Sequence, residues 1–179
     1  MSKKVLVIST SPRKGGNSDT LADEFVRGAQ EAGNNVEKIA LYDHTIGFCK
    51  GCLACQKTQR CVIRDDADTI AQKMLTADIL VFATPIYYYG ICGQMKTMLD
   101  RANPLFSADY QFRNIYLLAA AAEENEHTAD GAVTALKGWI DCFEKSRLSG
   151  IVFAGGVTSV GDIRNHPALK KAYEMGRAV

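Results

Sequence analysis

The chain has 179 residues, with 21 basic and 20 acidic side chains and a formal net charge of +1. That length suits one domain with a sizeable core, and the near-neutral balance leaves no electrostatic footprint for nucleic acid or an anionic membrane surface. No apolar stretch approaches the roughly 18 residues of a membrane span, and none near the start resembles a signal-peptide core. The expected setting is the cytoplasm, where six cysteines call for a reason other than disulfides.

Val5–Ile8 is a run of β-formers that predicts the first strand. It ends at Ser9-Thr-Ser-Pro-Arg-Lys-Gly-Gly-Asn-Ser18. Residues 18–32 then read as a helix, with Leu21, Ala22, Phe25, Ala29 and Ala32 on one face and Gly33 as its stop. Free N–H groups at such a helix start, and the positive end of its dipole, favour a phosphate. Gly15 and Gly16 let the backbone come close to the anion. Ser9, Thr10, Ser11, Asn17 and Ser18 offer hydrogen bonds, and Arg13 offers charge. The alternative is an ordinary strand–loop–helix with Asn17 or Ser18 as N-cap. The loop is neither G-x-x-x-x-G-K-[ST] nor G-x-G-x-x-G, which favours a monophosphate over a nucleoside triphosphate or a Rossmann-bound dinucleotide.

Val36–Leu41 reads as the second strand, 43–65 as an irregular cysteine-rich segment, and Asp66–Leu75 as a helix opened by Asp65 and Asp66. Ile79–Ala83 is the most apolar strand, ended by Pro85. Gly93–Ala102 reads as a helix, Ile115–Ala122 as a strand and 128–145 as a long helix containing Trp139. Ile151–Ala154 is the fifth strand, and Pro167–Arg177 closes the chain as a helix. Apolar strands alternating with helices imply a doubly wound, three-layer α/β domain around a parallel sheet. Right-handed crossovers put the loops after strands one, three and four on one edge, where ligands bind.

The loop after strand three is Pro85-Ile-Tyr-Tyr-Tyr-Gly90. Three successive tyrosines cannot all pack inward, so it offers either an aromatic wall to a flat ligand or an aromatic contact to a partner. Lys96 and Arg101 on the next helix read as solvated, and Cys92 and Cys142 as small buried apolar residues. Trp139 reads as packing. His44, His127 and His166 are scattered, with His166 a surface or capping residue, so no hydrolytic triad is supported. Glu123, Glu124 and Glu126 read as a solvated loop, and Gly155–Gly161 as a site cover or a simple turn.

Cys49, Cys52, Cys55 and Cys61 form C-x2-C-x2-C-x5-C. Soft thiolates at this spacing suit an iron–sulfur cluster or, less well, tetrahedral zinc, whose structural sites split their ligands into separated pairs. The alternative is a capped loop of partly buried, redox-active thiols.

Ser11–Ser18, Pro85–Gly90 and Gly155–Ile163 together resemble the NADPH-dependent FMN reductase family over nearly the whole chain. The resemblance implies a flavodoxin-like fold, a three-layer sandwich around a five-stranded parallel sheet, with 1–179 as a single domain and 43–65 as a cysteine-rich insertion loop. It implies noncovalent FMN, its phosphate in residues 9–18 with Asp19 and Thr20 in the same candidate set. The flavin ring would lie against Pro85, Ile86, Tyr87, Tyr88, Tyr89 and Gly90, and Ala120–Glu123, Ala121 foremost, would form the far wall. The cysteine motif is similar to that of the iron–sulfur flavoproteins, a branch that holds [4Fe–4S] near FMN, although relatives without a cluster share a segment ending like Cys61-Val-Ile-Arg-Asp65-Asp66. The activity implied is hydride transfer from NAD(P)H to FMN and onward transfer to a quinone, flavin or protein acceptor, with no protein residue as acid, base or nucleophile. The alternatives are a one-electron carrier serving a ferredoxin-like partner and a flavin-free redox or zinc module. A homodimer or higher homo-oligomer is the implied assembly, with no nucleic-acid or membrane partner.

Overall fold

The computed structural model describes residues 2–179. Its strands β1 (Lys4–Ser9), β2 (Asn35–Ala40), β3 (Ile79–Tyr87), β5 (Asn114–Ala120) and β6 (Arg147–Ala154) form a parallel sheet in the order β2-β1-β3-β5-β6. The two-residue β4 (Gly90–Ile91) folds back antiparallel on the end of β3. The helices are α1 (Asn17–Glu31), a single turn α2 (Cys55–Thr58), α3 (Asp66–Thr76), α4 (Gly93–Arg101), α5 (Asp130–Ile140) and α6 (Pro167–Arg177).

Alternate strand residues divide the core. Val5, Val7, Ile79 and Val81 meet Leu21, Phe25 and Ala29 of α1 and Ala168 and Ala172 of α6. Leu6, Ile8, Leu80 and Phe82 meet α3, α4 and α5 on the other face. Because both faces are covered, these strands are apolar throughout. The layout is the flavodoxin-like one, and its sheet edge at the strand C-termini carries the loops after β1, β3, β5 and β6.

Several element bounds differ from expectation. Helix α1 starts at Asn17 with Gly16 as an N-cap that makes no side-chain bond, so neither Asn17 nor Ser18 caps it. Pro85 does not end β3. Ala83 and Pro85 turn the same edge toward β1, but β1 stops at Ser9, so the missing proline N–H leaves no ladder bond unmade. The helix read over 128–145 is a 3-10 turn at Glu126–Ala129 followed by α5, which ends at Ile140. Beyond it the chain turns to bury Phe143 against Tyr110, Phe112 and Trp139. Strand β6 begins at Arg147 rather than Ile151, because an edge strand tolerates the exposed Ser149 and half-buried Gly150 that an apolar-run rule rejects. Within 43–65, residues 55–58 form α2.

Candidate functional site

A cavity of about 370 Å3 opens at the C-terminal edge of the sheet. Ser11, Arg13, Asn17 and Ser18 line one end, Pro85, Ile86 and Tyr87 one wall, and Ala120, Ala121 and Ala122 the facing wall. Val157 and Thr158, from the loop after β6, complete it. The polar end is built by a loop folded on itself. Ser11 Oγ donates to the Arg13 carbonyl at 2.9 Å and accepts from the Arg13 N–H at 3.2 Å. Gly15 takes φ +64°, and a Cβ at Gly16 would meet Ser11 Oγ at 2.6 Å and the Arg13 carbonyl oxygen at 3.1 Å, so a side chain there would push the Ser11 hydroxyl out of its place in the loop. Arg13 Nη2 donates to the Thr158 carbonyl at 3.0 Å, and the Ile163 N–H donates to Asn17 Oδ1 at 3.4 Å; these two bonds pin the last loop to the first. Ser18 is 2% exposed, and its hydroxyl has no partner within the protein. That hydroxyl, at a helix start, is free to donate toward the cavity.

The aromatic wall ends in a two-residue hairpin turn between β3 and β4. Tyr88 and Tyr89 hold φ of +48° and +62°, a left-handed turn that glycine or asparagine usually fills. Tyr89 Oη donates to Glu123 Oε1 at 2.7 Å, joining the two walls, and that bond raises the tyrosine pKa. The Tyr88 side chain is fully exposed.

The four cysteines of the C-x2-C-x2-C-x5-C segment line a second, largely apolar cavity of about 170 Å3, together with Leu53, Val62, Ile63 and Asn103. All are free thiols. Asn103 Nδ2 donates to Cys55 Sγ at 3.1 Å and the Gly51 N–H to Cys49 Sγ at 3.4 Å. Arg101 fastens this loop. It is 1% exposed and pairs both Nη atoms with Asp65 at 2.7 Å. The same atoms donate to the carbonyls of Gly47 at 2.7 Å and Ile63 at 3.0 Å. That hydrogen bonding, stronger than the opposing burial, holds the Asp65 carboxyl below its ordinary pKa. Asp68 is lowered likewise by Arg60.

The family description "NADPH-dependent FMN reductase" matches residues 3–161. The chain belongs to that family. It is therefore an oxidoreductase of an FMN-dependent class. An NAD(P)H-dependent FMN-containing oxidoreductase, so described by its name, from Bacillus subtilis is 30% identical over 188 residues, covering 96% of each chain. An iron–sulfur flavoprotein of Methanocaldococcus jannaschii is 39% identical over 111 residues, covering 62% of this chain and 57% of that one. An NAD(P)H:quinone oxidoreductase from Methanothermobacter marburgensis shares the fold with a TM-score of 0.77 at 18% identity, covering 99% of this chain and 96% of that one.

For an FMN reductase, the expected loops are brought together, but not every residue in them faces the cavity. Ser11, Arg13, Asn17, Ser18, Pro85, Ile86, Tyr87 and Ala121 line it. Ser9, Asp19 and Thr20 do not. Ser9 Oγ donates inward to Asp19 Oδ1 at 2.6 Å, Asp19 also accepts from the Gly15 N–H at 3.0 Å, and Thr20 Oγ1 donates to the Gly16 carbonyl at 3.2 Å. These three shape the loop from behind. Tyr88, Tyr89 and Gly90 stand beyond the lining, at the hairpin tip. Arg101, expected in solvent, is buried for the reason given above, whereas Lys96 is exposed and pairs with Asp100. Cys92 is buried, with Thr10 Oγ1 at 3.2 Å, but Cys142 is exposed. His166 caps α6, its Nδ1 accepting from the Ala168 N–H at 3.1 Å. Of the two readings of Gly155–Gly161, Val157 and Thr158 favour the site cover over the simple turn, since both line the cavity just past a strand C-terminus. Among the described residues no group of three or more Cys, His, Asp or Glu side chains stands ready-made for a metal ion, and no helix is long and apolar enough to cross a membrane.

Proposed function

We propose that this FMN reductase takes a hydride from NAD(P)H onto FMN seated in the 370 Å3 cavity, and passes electrons to a quinone, flavin or protein acceptor. The observation that carries the placement is the partnerless, buried Ser18 hydroxyl at the polar end of a cavity whose other walls are apolar and aromatic. FMN, when bound, supplies the hydride-accepting and electron-releasing chemistry. The chain binds and orients. Ser11, Asn17, Ser18 and Arg13 would hold the phosphate, with Arg13 oriented by the Thr158 carbonyl. Pro85–Tyr87 and Ala120–Ala122 would bracket the ring and exclude water from it, while the Tyr89–Glu123 bond keeps the two walls at a fixed spacing. The exposed tyrosine hairpin supports a homodimer or higher homo-oligomer in which it contacts the partner subunit, and six free thiols suit the reducing cytoplasm.

The test is to strip and re-add FMN, then follow NADPH and NADH oxidation with a quinone as acceptor. Flavin uptake with nicotinamide-dependent quinone reduction is the expected result. Failure to take up FMN would overturn the placement.

A second reading is favoured by the cysteine cavity: Cys49, Cys52, Cys55 and Cys61 would hold a [4Fe–4S] cluster. The donor set fits. Four thiols share one small apolar cavity, and N–H groups from Asn103 and Gly51 already point at two of the sulfurs. The thiols would have to close inward on a cluster as it assembles. Such a centre, when present, exchanges single electrons with a protein partner. Iron and acid-labile sulfide measured on anaerobically prepared protein decide it, at about four of each per chain.

A further inference from the structure

Behind the phosphate-facing loop lies a charge that no FMN contact explains. The Asp19 carboxylate is buried in the first turn of α1, where it accepts from Ser9 Oγ and the Gly15 N–H. A carboxylate there tightens the loop and complements the helix dipole. It also places a negative charge beneath the seat of a phosphate dianion. Lys38, on β2, reaches across to it. Its Nζ lies 2.7 Å from Asp19 Oδ1 and 2.6 Å from Asp23 Oδ1, and its side chain is 20% exposed. Burial opposes the lysine charge, but the hydrogen bonds to Asp19 and Asp23 outweigh it and raise its pKa, so the ammonium stays charged. Arg13, the cation on the ligand side, is engaged with Thr158 rather than Asp19.

We propose that Lys38 is a specificity-determining residue for the cofactor: by neutralising Asp19 from behind, it lets a loop braced by a carboxylate accept the phosphate of FMN, and so sets the preference for FMN over riboflavin. Lys38 touches no ligand. It acts through Asp19, and its effect is electrostatic, falling on the phosphate and sparing the ring. The inference rests on the phosphate lying in the Ser11–Ser18 loop.

The test compares dissociation constants of FMN and riboflavin for apoprotein of the wild type, Lys38→Met, Lys38→Arg and the double variant Lys38→Met/Asp19→Asn. Lys38→Met is expected to weaken FMN about tenfold, the scale of one nearby uncompensated charge, and to leave riboflavin within about twofold. Lys38→Arg keeps the charge and is expected to match the wild type. The double variant removes the Lys38 and Asp19 charges, leaves only the water-exposed Asp23 carboxylate without its lysine, and is expected to recover most of the FMN preference lost in Lys38→Met. Added salt should shrink the Lys38→Met effect. Equal weakening of both ligands would mean that Lys38 only holds β2 to α1, and would overturn the proposal; so would an unchanged FMN constant or a double variant without recovery. A wild type that binds riboflavin as tightly as FMN would instead overturn the phosphate placement itself, and the role of Lys38 with it.

Discussion

Single residues in this protein are specialised by which side of a loop they face. Ser18 and Asp19 are adjacent and both buried, yet the Ser18 hydroxyl is unpaired at the cavity while both oxygens of the Asp19 carboxylate are engaged behind it by Ser9, Gly15 and Lys38. Removing the donor should therefore cost binding with little cost in folding. Ser18→Ala is expected to weaken FMN by about ten- to a hundredfold, since a hydrogen bond to a charged group contributes about 1.5–3 kcal/mol, and to leave the melting temperature of the apoprotein unchanged or slightly raised. Flavin fluorescence titration and a thermal melt on the same samples check both. Tyr88 is the converse case. Its left-handed φ of +48° opposes folding by about 1 kcal/mol for a non-glycine residue. Tyr88→Gly should raise apoprotein stability by about that amount, read from a denaturant midpoint, while depleting whatever contact the exposed ring makes in the proposed oligomer. The loop between β1 and α1 was legible as the polar end of an edge cavity because hydroxyls, amides and glycines between a strand and a helix have few other uses. The direction of Asp19 was not, since residue type alone does not say which way a first-turn side chain points. Arg101 was illegible for a different reason: a basic residue on an amphipathic helix reads as solvated, and its partner Asp65 is 36 positions away.

Between elements, contact is set where backbones touch. A Cβ at Gly28 would lie 2.1 Å from the Tyr173 carbonyl oxygen, and one at Gly176 would lie 2.2 Å from that of Phe25. Helices α1 and α6 thus cross at reciprocal glycines, with backbone against backbone. Gly176→Ala is expected to force them apart at a cost of about 3 kcal/mol, the upper range for overpacking, seen as a lowered denaturant midpoint. Because α1 carries Asn17 and Ser18, FMN affinity should fall with it. Gly131 plays the same part for the hairpin, where a Cβ would meet the Tyr89 carbonyl oxygen at 2.2 Å. The order of strands and helices could be read from apolar runs because both faces of the sheet are covered. What escaped were the places where that rule has no purchase. Edge strand β6 starts earlier than its apolar run, β3 continues past Pro85 where its neighbour has ended, and α5 stops short so that Phe143 can join an aromatic cluster built from distant segments.

At the scale of the whole molecule, the flavodoxin-like sheet carries one cavity at its edge, while the cysteine loop packs beside it, with Cys55 buried, and is held there by hydrogen bonds and ion pairs. Arg101 ties Gly47, Ile63 and Asp65 together, and Asp68 collects Arg60 and Arg64. Both carboxyls have pKa values below the ordinary 3.8, Asp65 through Arg101 and Asp68 through Arg60. A carboxyl whose pKa is lowered on folding contributes stability that is fully present above its unfolded value and is lost as pH falls through the folded value. The loop should therefore stay fastened at neutral pH and come loose only below about pH 4, the unfolded carboxyl range. The measurement is protease cleavage within 43–65 from pH 7 downward, using an acid-tolerant protease, for the wild type and Asp65→Asn. At neutral pH the variant leaves the buried Arg101 without its carboxylate, a loss of about 3 kcal/mol by comparison with other broken buried pairs, and should be cut faster. As pH falls through the depressed Asp65 value, the wild type loses the same interaction, so the two cleavage rates should converge. Parallel rates that never converge would show that Asp65 holds the loop by shape or by its helix cap rather than by its charge. FMN uptake should follow neither curve, because no residue of the cysteine loop lines the cavity at the sheet edge where the flavin is proposed to sit.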